Sequence, residues 1–176
     1  MGSVLMDKRQ NAQQSADNNL QFLTFWLGEE SYGLDILRVR EIRGWNKPRE
    51  IPNVPKYIKG VIDFRGGIVP IVDLRVRFAL PKADYDRETV VIIVSVELDK
   101  ADGAEHHTMG MVVDRVADVM DVAEKDIKAR PQLGSKLDTR YLTGVVNRNE
   151  GMVVLIDVDK LLDPETFTQM ESWSKE

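Results

Sequence analysis

The chain has no cysteine. That excludes disulfides, thiolate nucleophiles and cysteine-ligated metals, and it suits a reducing compartment such as the cytosol. Histidine is nearly absent too. His106 and His107 are the two present, and they sit in the polar stretch Asp102–Thr108, which reads as an exposed hairpin loop. Glu105 and Asp102 are the only donors close by, too few for a metal site, so neither metal nor cofactor is expected. Apolar runs are short. Val90–Val94 is typical, far below the roughly 20 residues that span a bilayer, and the polar opening residues lack the core of a signal peptide. No serine sits in a strand-to-helix elbow, and Arg65-Gly66-Gly67 lies between strands rather than ahead of a helix, the wrong context for phosphate. A basic excess is also missing: 24 Lys/Arg face 29 Asp/Glu, a net charge of −5, which argues against nucleic acid.

What the chain has is a repeat. Tyr57-Ile-Lys-Gly60-Val-Ile-Asp-Phe-Arg65-Gly-Gly67-Ile-Val-Pro70-Ile-Val-Asp73 recurs, 84 residues on, as Tyr141-Leu-Thr-Gly144-Val-Val-Asn-Arg-Asn149-Glu-Gly151-Met-Val-Val154-Leu-Ile-Asp157. Upstream, Gly33–Ile42 recurs 77 residues on as Gly110–Val119. The repeat cores span roughly 32–80 and 109–163, each too small to bury a large core alone, so extensive contact between them is expected. Their charges differ. Residues 32–80 carry ten Lys/Arg and five Asp/Glu, whereas 109–163 carry eight and ten. Halves of opposite sign suit head-to-tail pairing with related domains.

The local pattern is all-β. Residues 1–18 read as a disordered tail, 19–167 as the folded domain and 168–176 as a C-terminal tail. Alternation at Leu23, Phe25 and Leu27 predicts a strand, Gly28–Ser31 a turn, and Tyr32 to about Ile42 a second strand. Trp45–Pro55 reads as a proline-stiffened loop, Lys56–Lys59 as a helical turn, and Val61–Arg65 with Ile68–Leu74 as a hairpin turning on Gly66-Gly67. Arg75–Leu80 suggests a short helix and β-branched Thr89–Leu98 a buried strand. His107–Asp114 and Arg115–Val122 read as one bent strand or two, and Ala123–Ile127 as a helical turn. Leu142–Arg148 and Met152–Val158 pair, and a C-terminal helix begins with Asp163 as cap and Pro164 at its first position. Glycine-bearing turns repeated twice indicate two small β-barrels or one split sandwich.

Residues shared by the copies serve the common fold, and those that differ are free to carry function. Gly60/Gly144, Gly67/Gly151 and Tyr57/Tyr141 are shared, whereas Arg65 becomes Asn149, Pro70 becomes Val154, Glu41 becomes Asp118 and Lys59 becomes Thr143. Pro70 cannot donate to a ladder, which predicts an edge strand or bulge. Apolar Ile68 and Ile71 beside Arg65 then form a candidate docking surface, with Arg65 forking onto a partner's carboxylate. Asp73 and Asp157, a matched pair, read as structural acceptors at strand ends; an acid–base role would require a polar pocket around them.

Phe22–Gly28, Tyr32–Arg43, Ile51–Gly60, Phe64–Arg75, Met109–Asp114 and Tyr141–Gly144 together resemble the coupling proteins of bacterial chemotaxis, the CheW family, over about residues 20–165. The resemblance implies two intertwined SH3-like five-stranded β-barrels with short helices and no enzymatic activity. It implies a cytoplasmic adaptor, recruited to the inner face of the membrane, that bridges chemoreceptor cytoplasmic tips to the regulatory domain of the histidine kinase CheA. Weak self-association within array rings belongs to the same picture. Carried over by position, receptor contacts fall on Val39, Glu41, Gly60, Arg65 and Ile68, and kinase contacts on the second barrel around Gly110 and Gly144. Phe64, Gly67 and a long Asp99–Thr108 loop depart from the family pattern. Family members also serve type IV pili and surface sensing, the alternative pathway. A small enzyme on paired barrels and a nucleic-acid-binding barrel are the competing classes. A fused receiver domain would need more chain than is present.

Overall fold

The computed structural model describes residues 19–81, 84–100, 103–129, 139–162 and 164–167. The two tails, Asp102 and the Asp163 cap lie outside the described residues. Ten strands form two curled five-stranded sheets. The strands are β1 Asn19–Leu27, β2 Glu30–Asp35, β3 Val39–Gly44, β4 Ile58–Phe64, β5 Gly67–Asp73, β6 Val90–Lys100, β7 Gly103–Val113, β8 Arg115–Ala123, β9 Leu142–Arg148 and β10 Gly151–Ile156. One sheet runs β8-β1-β2-β10-β9 and the other β3-β6-β7-β5-β4.

That order makes the repeat exact in topology. The unit β1–β5 gives two strands to the first sheet and three to the second, and β6–β10 does the reverse. The parallel pairings match: Leu155 faces Gly33, and Ile71 faces Gly110. The expected single strand from Tyr32 to Ile42 is therefore wrong. A 3-10 turn at Ile36–Arg38 breaks it, with Asp35 accepting the Leu37 N–H at 3.0 Å, and the chain crosses there from one sheet to the other. The matching break at Asp114 separates β7 from β8.

The exchange dictates where the core lies. Each sheet has a small core on its own concave face: Phe22, Met120, Val122, Val146, Val153 and Leu155 in the first, and Val69, Ile71, Val91, Ile93 and Val112 in the second. A larger cluster lies between the sheets, including Phe25, Tyr32, Leu34, Val72, Leu74, Ile92, Met109, Met111 and Ile156. The expected contact between the halves is thus the main source of apolar burial. At its rim the Arg77 guanidinium lies over both repeat-related tyrosines, 4.2 Å from the Tyr57 ring and 4.9 Å from Tyr141.

Several local expectations change. Lys56–Lys59 is not helical; a turn leads directly into β4. His106 and His107 are not in a loop, because β6 and β7 pair as far as Lys100 and Gly103, which puts both histidines within β7. His107 stacks on Phe167 of the helical turn 164–167 at 4.7 Å. Pro70 is not on an edge strand, since β5 lies between β4 and β7. It is tolerated because pairing with β7 begins only at Ile71, so no ladder partner faces its missing N–H.

Asp73 and Asp157 act as expected of structural acceptors. Each caps the helical turn after its strand, accepting the N–H of Arg75 in the short helix α1 (Leu74–Arg77) and of Asp159, both at 3.0 Å.

Two clamps fix the corners. Arg38 binds Asp159 in a fork, at 2.8 and 2.9 Å, and donates to Ser95 O at 3.1 Å. Arg75 binds Asp114 in the same manner, through Nε at 2.6 Å and a second guanidinium contact. The repeat relates these clamps with their charges exchanged. Arg38 is on a strand corner and Asp159 is after β10, whereas Asp114 is on the corner and Arg75 is after β5. Each carboxylate also accepts a backbone N–H, Asp159 from Glu97 at 2.7 Å and Asp114 from Gly28 at 2.6 Å. The carboxylate's place is kept while its carrier changes.

Arg38→Ala removes a forked, partly buried charge-assisted pair and leaves Asp159 short of its donors. It should cost about 2 kcal/mol, measured as a lower urea midpoint at unchanged slope. Gly60→Ala should cost about 3 kcal/mol or more, because Gly60 has φ +144° and a Cβ there would lie 2.2 Å from Arg49 O. Gly28→Ala, with nothing within 4 Å, carries backbone strain alone and should cost less in the same assay.

Candidate partner-docking site

The second sheet curls until its outer strands, β3 and β4, meet. The Arg43 guanidinium of β3 lies 5.4 Å from the ring centroid of Phe64 at the end of β4, and Arg65 covers the same ring at 4.9 Å. Alternation along β3 places Glu41 opposite Ile93 and Arg43 opposite Val91, both members of the sheet's own core. Trp45, Ile62 and Phe64 pack against that core from the open side. The result is an apolar mouth framed by Glu41, Arg43 and Arg65. Glu41 is engaged by Arg43, through Nε at 2.6 Å and a second guanidinium contact. Arg65 is exposed and has no carboxylate among the described residues, so the mouth presents an unmatched positive charge.

Arg65 occupies an unusual backbone. The tight turn between β4 and β5 consists of Arg65 and Gly66, at φ +49° and +81°, rather than Gly66-Gly67 as the sequence suggests. Two left-handed residues give a type I′ turn, which favours Asn-Gly. Arginine in that position costs about 1 kcal/mol. Strain kept at an exposed residue points from the outlier towards function. The other unit has an asparagine, Asn149, at this place without a positive φ, and the left-handed residue there is Gly151 at +130°.

The remaining candidates divide. Val39 and Ile68 are half-buried and pack against the inter-sheet core, each with part of its side chain on the surface. Ile71, read with Ile68 as surface, is 1% exposed and belongs to the core. Gly60 is buried beneath Arg49, which pairs with Val61 at 2.9 and 3.0 Å and covers the edge of β4. Gly110 and Gly144 are buried too. A Cβ at Gly110 would lie 2.5 Å from Ile71 Cδ1, and one at Gly144 2.7 Å from Lys128 O. They do not share a barrel, as the sequence order suggested: Gly110 is in β7 of the same sheet as Arg65, and Gly144 is in β9 of the other. Strand exchange is the reason.

A second concave surface was missed by sequence reasoning. A cleft of about 890 Å³ runs between α1 and the loop after β3. Its wall is Trp45 stacked on Tyr85 at 4.0 Å, with Tyr85 donating to Asp73 Oδ2 at 2.7 Å. Burial first, then Asp73, pushes the Tyr85 hydroxyl well above its ordinary pKa, so it stays a donor. Lys56 and Lys59 line the cleft without an ion pair among the described residues. Arg43 also escaped notice, and Phe64 was marked only as a departure from the family pattern. The alternation of Glu41 and Arg43 on one face of β3, continued by Trp45 just past the strand's end, was the available signal.

Arg65→Asn relieves the left-handed strain. It should leave the fold intact and raise the thermal midpoint by the equivalent of about 1 kcal/mol, measured by calorimetric unfolding.

The chain matches the CheW-like domain over residues 21–165. It is 42% identical over 155 residues to the chemotaxis protein CheW of Klebsiella aerogenes, covering 88% of this chain and 89% of that one. With the CheW of Treponema pallidum it shares 32% over 154 residues, 88% of each. The solved structure of the scaffolding protein CheW from Thermoanaerobacter tengcongensis superposes with a TM-score of 0.71 at 30% identity, over 82% of this chain and 88% of that one. No helix among the described residues is long and apolar enough to cross a membrane. With its ten exchanged strands, its repeated glycines and matches along most of its length, the chain belongs to the CheW-like domain family.

Proposed function

We propose that this protein is a non-enzymatic adaptor that couples chemoreceptors to the histidine kinase CheA. The observation that carries the reading is Arg65: an exposed guanidinium, held in a strained turn against Phe64, at the mouth of a sheet whose neighbouring carboxylate is already engaged. Such a group seeks a carboxylate from outside. The receptor contributes a helical cytoplasmic tip, which docks as an amphipathic helix with its apolar stripe over Phe64, Val39 and Ile68 and its acidic flank on Arg65. Glu41 serves this contact by holding Arg43 over the ring, and Gly60 by letting Arg49 close the edge of β4.

Bridging needs a second surface that stays free while the first is engaged. The kinase's regulatory domain takes that surface on the sheets shaped around Gly110 and Gly144, whose missing side chains allow close packing of their neighbours. Weak interfaces suit such a role, because signalling contacts of modest area are often micromolar. Recruitment to the cytoplasmic face of the membrane follows from receptor binding alone. The same architecture would serve a chemosensory pathway for type IV pili or surface sensing, which is the alternative.

Calorimetric titration tests the reading. The protein should bind the isolated regulatory domain of a chemotaxis kinase from the same genome one to one, and separately a receptor hairpin fragment. Arg65→Glu should weaken receptor binding about tenfold or more, the scale of one lost charged contact, while kinase binding and thermal stability hold. Receptor affinity unchanged at unchanged stability would make Arg65 a bystander. Absence of both bindings, with every protein folded, would remove the adaptor reading. Val39→Asp should lose receptor binding and some stability together, because Val39 also packs on the inter-sheet core.

A further inference from the structure

The cleft between α1 and the loop after β3 has no part in the docking reading. Its volume of about 890 Å³ falls within the size of small-molecule sites, roughly 300–1,000 Å³. Among the described residues it shares only Trp45 with the mouth that carries Arg65. Most of its charged groups are already engaged. Lys47 faces Glu50 at 3.5 Å, and Arg75 is forked onto Asp114. Asp73 is 5% exposed, and its oxygens accept the Arg75 N–H at 3.0 Å and the Tyr85 hydroxyl at 2.7 Å. Lys56, Lys59 and Asp84 remain, none with an ion pair among the described residues. Asp84 and Lys56 are exposed, whereas Lys59 is half-buried. Its ammonium is drawn partly out of water with no counter-ion, a cost that a bound anion removes.

The apolar wall is set in advance. Trp45 and Tyr85 stack at 4.0 Å, and the bond to Asp73 fixes the second ring, so little order is lost when a ligand enters. Pro48, Val76 and Leu80 extend the apolar lining. The repeat has no second copy of this arrangement. Lys59 becomes Thr143, and buried Val122 stands 77 residues on from Trp45. Asp157 caps its turn without a tyrosine hydroxyl among the described residues.

We propose that this cleft is a binding site for a small planar aromatic carboxylate, its ring against the Trp45–Tyr85 wall and its charge held by Lys59 and Lys56. Two free ammonium groups against one free carboxylate favour a ligand of single negative charge. Lysine takes an anion as a point charge, so the site selects ring and charge rather than one head-group geometry.

The test uses the full-length, nitrogen-15-labelled protein with 2-naphthoate and its uncharged analogue 2-naphthamide as probes. The reporter is the Trp45 indole N–H resonance, identified by its loss in Trp45→Phe. Naphthoate should move that signal saturably and leave Trp26, which lies under Arg115, in place. Naphthamide should bind about tenfold more weakly or worse, the scale of one charge-assisted contact. Lys59→Gln should weaken naphthoate by a similar factor, leave naphthamide unchanged and keep the wild-type thermal midpoint, and Lys59→Arg should restore naphthoate. A wild-type Trp45 signal that does not respond to naphthoate would overturn the site. Equal affinity for the two probes, or naphthoate binding indifferent to Lys59→Gln, would overturn the acid selection and with it the proposal. None of these outcomes depends on receptor or kinase, so the adaptor reading stands or falls separately.

Discussion

The structure depends on apolar contact between two sheets that cannot stand apart. Each sheet's own core is a handful of residues, about the content of a domain too small to fold unaided. The cluster between them, with Phe25, Tyr32, Phe78 and Tyr141 among its aromatic members, supplies what each lacks. Those rings form a relay across the interface, Phe25 to Tyr32 to Phe78 to Tyr141, at centroid separations of 5.9, 5.9 and 5.6 Å. Everything else is arranged around that shared layer. The crossings at Ile36–Arg38 and Asp114 carry the chain past it, the capped turns after β5 and β10 close over it, and the two Arg–Asp forks hold crossings to turns.

The proposed docking surface uses the parts of this frame that the layer leaves over. The mouth of the second sheet remains open because β3 and β4 approach without pairing, and Phe64 fills the gap with the Arg43 and Arg65 guanidinium groups over its ring. A surface built from edge strands and a tight turn is rigid without being buried. It presents apolar area and charge with little loss of freedom on docking. The division of labour between units follows. Gly60 and Gly144 do the same structural work under Arg49 and Lys128, while Arg65 and Asn149, at equivalent places, do not.

The repeat made the architecture legible. Equal offsets at tyrosine, glycine and aspartate positions implied two copies of one hairpin-and-cap motif, and Gly33 against Gly110 implied a shared close approach. Arg65 was also legible, as a charged residue standing where the copies disagree. What stayed hidden was long-range. Nothing local in Tyr32–Ile42 says that its two ends belong to different sheets, because alternation continues through the corner. Pro70 signals a missing donor but not that the missing partner is merely one residue short of β7. Phe64 and Arg43 are 21 positions apart in sequence and meet only because the sheet curls. Tyr85 reaches Asp73 and Trp45 from a linker with no pattern of its own.

The exchanged strands bear on ancestry. Two copies of a five-stranded unit, each lending two strands to one sheet and three to the other, are what a pair of separate identical chains would have formed by swapping strands about a two-fold axis. In such a pair both corners would have carried the same residues, and so the same polarity of clamp. Here the polarities are opposite, with the carboxylate kept in place but borne by Asp159 on one side and Asp114 on the other. Within one chain the two corners need not match, and the reversal uses that freedom. The mouth bearing Arg65 is likewise without a counterpart, the asymmetry that a molecule needs if it is to hold two unlike neighbours at once.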